Sequence, residues 1–106
     1  MKKLLFAALL LSGCGTFATS QMQTYRAPGQ SEAWHIAGRI EEMTQVLTIT
    51  VNGQDAVSGK LSIWNGLGSV SGEYQGRPIS ATCNKVRQQR QCQVVVGSEI
   101  AATLVF

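Results

Sequence analysis

Between Trp34 and Phe106, apolar and polar side chains alternate with a period of two, and glycine turns interrupt the alternation every few residues. Consecutive side chains of a strand point to opposite faces, so this pattern belongs to strands that are buried on one side. In "WHIAGRIE", Trp34, Ile36 and Ile40 share one face and His35, Arg39 and Glu41 the other; "QVLTITV" likewise sets Leu47, Ile49 and Val51 against Thr48 and Thr50. Asn52-Gly53 comes next, a strong hairpin signal because both residues tolerate positive φ. "VSGKLSIW" resumes the alternation. A turn at "NGLG" then leads to "SVSGEY", Gln75-Gly76 leads to "RPISATC", and Gly97-Ser98 separates "CQVVV" from "EIAATLVF". The expected fold is all-β, a single small antiparallel meander of about seven strands. Closure removes exposed edges, which favours a barrel or strongly curled sheet over the open two-layer sandwich that the same meander could also form. Pro78 cannot donate to a ladder, which places its strand at an edge or starts the strand just after it.

Cys83 shares the parity of Ile79 and Ala81, and Cys92 that of Val94 and Val96, so both face the expected core from the two ends of one loop. In an oxidising compartment this predicts a hairpin disulfide. The loop it closes, "NKVRQQRQ" at 84–91, carries Lys85, Arg87 and Arg90 and no acid. A basic tip held rigid by a disulfide loses less entropy on binding, which makes these three residues candidates for docking an acidic or anionic partner. Trp64 sits on the polar parity of its strand just before Asn65-Gly66, a candidate exposed aromatic anchor.

The start of the chain addresses location. "MKKLLFAALLLSG" has two lysines, an apolar run and small residues, the layout of a signal peptide over 1–13. Leu11-Ser12-Gly13-Cys14 resembles the lipobox of bacterial lipoproteins. That resemblance implies diacylation of Cys14 on its sulfur, cleavage just before it and then acylation of its nitrogen, with palmitate among the chains. Gly15, where an Asp would signal inner-membrane retention, implies the periplasmic face of the outer membrane. Two or more acyl chains anchor a protein stably. The alternative is cleavage near Ala18, which would release a soluble periplasmic protein. Residues 14–32 are poor in aliphatic side chains and read as lipid attachment site and flexible tether, with an rms reach of roughly 20–25 Å; Phe17, Met22 and Tyr25 could instead pack as an edge segment. Residues 33–106 form the domain.

Removing Lys2 and Lys3 leaves seven Lys/Arg against six Asp/Glu, and nucleic-acid binding loses its main support. No cofactor or metal is implied: His35 is the single histidine and no further ligand has suitable spacing. His35 and Asp55 could serve as base and acid, or Glu41, Glu42 and Glu73 as paired carboxylates, yet none lies in a catalytic motif, so an enzyme is not expected.

The expected role is a non-catalytic interaction module or accessory subunit of an envelope assembly, anchored in the membrane through Cys14 and partnered by an envelope protein. "SVSGEYQG", with Ser71 and Tyr74, is faintly similar to the Ser-Gly-x-x-Tyr segment of membrane-bound lysozyme inhibitors, with one residue fewer before the tyrosine. That resemblance implies inhibition of a cell-wall hydrolase. A passive structural lipoprotein is the third reading.

Overall fold

The computed structural model describes residues 16–106, so Cys14 and the signal segment lie outside the described residues. Nine strands follow in chain order: β1 (Phe17–Thr19), β2 (Gln23–Tyr25), β3 (Trp34–Glu41), β4 (Val46–Val51), β5 (Gln54–Lys60), β6 (Gly68–Tyr74), β7 (Arg77–Val86), β8 (Gln89–Val96) and β9 (Glu99–Val105). They form two open antiparallel sheets. The first runs β1-β3-β4-β5, with β2 beside β1 on the same edge of β3, and the second runs β6-β7-β8-β9.

The single curled or barrel-like meander of about seven strands is therefore corrected to nine strands in two sheets. The break falls between β5 and β6. The strand expected to run on to Trp64 ends at Lys60, and the Leu61 amide makes one last in-register bond to the Gln45 carbonyl (2.8 Å). Residues 61–67 then turn a corner, closed by Gly66 N–H to Ser62 (2.7 Å) and Ser62 N–H to Leu67 (2.9 Å). Beyond the corner β6 packs on β5 without pairing to it. Two glycines permit this close approach: a Cβ on Gly59 would strike the Val70 side chain, and one on Gly72 would strike the Ala56 carbonyl and Val57. Glycine inside a strand commonly marks such a crossing.

The inner faces of both sheets meet in one apolar core. Ile36, Ile40, Leu47 and Ile49 enter it from the first sheet and Ile79, Val94 and Leu104 from the second, all buried. Cys83 and Cys92 are directly opposed on β7 and β8 and form a disulfide that is itself part of this core. Closing a loop of about ten residues contributes roughly 2.5–3 kcal/mol in the chain-entropy model. That is a sizeable share of the stability of so small a domain.

The segment read as a tether is strand-paired in its described part. Phe17 to Thr19 pair with Glu41 to Arg39, and Gln23 to Tyr25 pair with Ile36 to Trp34. Ser20 bridges the gap, donating N–H to the Gly38 carbonyl (3.0 Å) and accepting the Gly38 N–H on its hydroxyl (2.9 Å). These residues also close the far seam between the sheets. The Gln23 side-chain amide donates to the Thr103 carbonyl (2.6 Å) and accepts the Thr103 N–H (2.9 Å), so one side chain substitutes for a neighbouring strand along β9.

Candidate functional site

Strand direction divides the molecule into two poles. One pole gathers the β3–β4 turn at 42–45, the 61–67 corner and the β7–β8 turn; the other gathers the turns at 52–53, 75–76 and 97–98.

The first pole is built around Arg90. The ladder between β7 and β8 continues past the disulfide, with Asn84 opposite Gln91, Lys85 opposite Arg90 and Val86 opposite Gln89. The expected eight-residue loop is thus a long hairpin turning on Arg87 and Gln88 alone, both at positive φ (52° and 67°). A two-residue turn of this kind follows the twist of the flanking strands. The longer ladder divides the expected basic tip. Lys85 and Arg87 remain exposed, whereas Arg90 folds inward, donating from Nη1 to the Gln45 side-chain oxygen (2.9 Å) and pairing with Glu42 (3.9 Å). Its Nε is buried with no hydrogen-bond partner among the described residues. Gly66 makes room for the guanidinium, since a Cβ there would collide with Nη1, and its φ of 71° is one that glycine readily takes.

Above Arg90 lies an open cleft of about 380 Å³, lined chiefly by Gln45, Ile63, Trp64, Lys85, Arg90 and Phe106. Trp64 is 91 % exposed and Ile63 60 %, on a corner held by its own hydrogen bonds: Trp64 N–H donates to the Ser62 hydroxyl (3.2 Å) and Leu67 N–H to the Asn65 side chain (3.0 Å). The braced corner presents an exposed aromatic ring beside an ammonium, a guanidinium and an amide. Such a surface suits binding by stacking and charge.

The structure brings Trp64, Lys85 and Arg90 together and leaves the other candidates apart. Arg87 occupies the turn beside the cleft. Ser71 is exposed on β6 opposite Ser80, and Tyr74 lies at the far pole, its ring edge-on to Trp34 at 5.0 Å between centroids. Tyr25 packs on the other side of Trp34 (6.1 Å) and donates its hydroxyl proton to Glu99 (2.6 Å). This hydrogen bond is the main reason its phenol is raised above the ordinary 10.0, with desolvation adding to it. Of the weighed acid–base residues, Asp55 pairs with Arg39 (3.5 Å), Glu41 accepts from Thr44 (2.8 Å) and His35 is exposed on β3. No group of metal-ligating side chains gathers among the described residues.

Sequence reasoning missed Gln45, Ile63 and Phe106 as parts of the cleft. A signal existed for Ile63 alone: it adjoins Trp64, so a strand could bury only one of the two, and a corner that exposes both is the other solution. Comparison with known proteins returned no match: no family model, no curated protein and no solved structure resembles the chain.

Proposed function

We propose that this protein is a non-catalytic docking module of the bacterial envelope, held at the periplasmic face of the outer membrane by acylation of Cys14, and that the pole carrying Trp64 is its contact surface. The observation that carries this reading is the exposure of Trp64 and Ile63, on a corner whose backbone is braced, beside Lys85 and Arg90. A small domain gains nothing in stability from a tryptophan held in water. Its presence on a braced corner is accounted for by a contact made outside the chain. The Leu11-Ser12-Gly13-Cys14 segment supports the anchoring half of the reading.

The test is metabolic labelling with palmitate in parent and Cys14→Ala cells, followed by membrane fractionation. The parent is expected to carry label and sediment with outer membranes, and the variant to lose both properties. An unlabelled parent recovered in the soluble periplasmic fraction would end the anchoring half of the proposal.

A further inference from the structure

We propose that the Trp64 pole seats directly on the phospholipid surface in which Cys14 is anchored, with Trp64 and Ile63 entering the headgroup region and Lys85 and Arg87 meeting lipid phosphates. This rests on the anchoring reading above and names the partner of the same surface.

Where the described chain begins is the first ground. Thr16 lies at this pole, its carbonyl accepting the Glu42 N–H (2.9 Å), and β1 then runs away from the pole along β3. Two covalent steps separate Thr16 from Cys14, a span of at most about 7 Å between Cα atoms. A lipid on Cys14 therefore cannot lie far from this end of the molecule. The strand pairing of β1 leaves no long leash by which the domain could stand away from the surface.

The distribution of exposed side chains is the second ground. Among the described residues Phe17, Met43, Ile63, Trp64, Val86 and Val105 are exposed at this pole, against Met22 and Ile100 away from it. Tryptophan favours the membrane–water interface, where its ring is half desolvated and its N–H stays hydrated. Charge is the third ground. The pole carries Lys60, Lys85, Arg87 and Arg90 against Glu41 and Glu42, and Glu42 is paired to Arg90. The remaining described residues hold three cations, Arg26, Arg39 and Arg77, against four carboxylates, Glu32, Asp55, Glu73 and Glu99. An anionic leaflet attracts the first end and repels the second, so charge and anchor favour the same orientation.

The full chain, acylated in its host, is reconstituted into vesicles of phosphatidylethanolamine with a minority of phosphatidylglycerol, with or without bromine on the acyl chains. Trp34 is buried and supplies a constant background, and the difference between the parent and Trp64→Phe isolates the Trp64 signal. Brominated chains should remove roughly half of the Trp64 emission. Lys85→Ala with Arg87→Ala should reduce that quenching, as should raised salt. Acylated protein that floats with the vesicles while Trp64 stays unquenched would overturn the inference and leave the anchor standing; the surface would then be open to a protein partner. Protein that neither floats nor carries acyl mass on Cys14 would overturn both readings. Flotation and mass report on the anchor and quenching on the seat, so the two failures are distinguishable.

Discussion

The chain's two tryptophans lie at opposite poles and are treated in opposite ways. Trp34 is 5 % exposed, with Tyr25 and Tyr74 packed edge-on against it; Trp64 is 91 % exposed and touches mainly its own corner. At the Trp34 pole polar groups are satisfied internally: Tyr25 bonds Glu99, Asn52 bonds the His35 amide, and Gln23 nearby completes the β9 edge. At the Trp64 pole the hydrogen bonds brace loops, and the apolar side chains are left outside. One pole therefore stabilises the fold while the other presents a surface. Substitutions at the two poles should differ accordingly.

Trp34→Ala should have the largest effect. Removing a buried tryptophan typically costs about 3–5 kcal/mol, and here it would also leave two tyrosine rings without their partner. That approaches the whole stability expected of a domain this size. Urea unfolding followed by circular dichroism should show a folded baseline that is shortened or lost at 25 °C. A loss below about 1 kcal/mol would mean that the aromatic stack is not a main support of this pole.

Gln23→Ala tests the seam on a smaller scale. It removes a donor to the Thr103 carbonyl and an acceptor from the Thr103 N–H, both part-buried, for an expected cost of about 1–3 kcal/mol. Loss should be concentrated along β9, so hydrogen exchange at Thr103 should accelerate well before that of β4. Gln23→Glu keeps the acceptor but sets a carboxylate against a carbonyl, and should recover little. Uniform acceleration across both sheets would show that the seam is not a local closure.

The two seams explain how much of this architecture could be read from sequence. Period-two alternation and the Asn52-Gly53 and Gln75-Gly76 turns marked the seven strands from β3 to β9, because strand and turn chemistry are local. Cysteine parity likewise pointed to Cys83–Cys92. The division into two sheets was hidden: Gly59 and Gly72 lie thirteen positions apart, and only the packed structure shows that each admits the other's strand. The pairing of β1 and β2 entered only as the alternative to a tether, with Phe17, Met22 and Tyr25 as an edge segment, since three-residue strands carry too little alternation to register. At the site, Lys85 and Arg87 are exposed, as charged residues beside a turn are expected to be. Arg90 looked like one more solvated cation, because its partners Gln45 and Glu42 lie more than forty positions away.

Trp64→Ala should have the smallest effect on stability, within about 0.5 kcal/mol, since a side chain surrounded by water loses few contacts when truncated. The measurement is the same urea transition used for Trp34→Ala, read from circular dichroism so that the missing fluorophore does not bias it. The corner should also keep its shape, because the bonds from Trp64 N–H to Ser62 and from Leu67 N–H to Asn65 use backbone donors that the substitution retains. A loss of 2 kcal/mol or more would show that the indole packs within the folded chain, and the case for an external contact would lose its main support. An unchanged transition has the opposite consequence. The indole then exposes a large apolar surface with no return in stability, a standing liability to aggregation, and a contact outside the chain is what accounts for it.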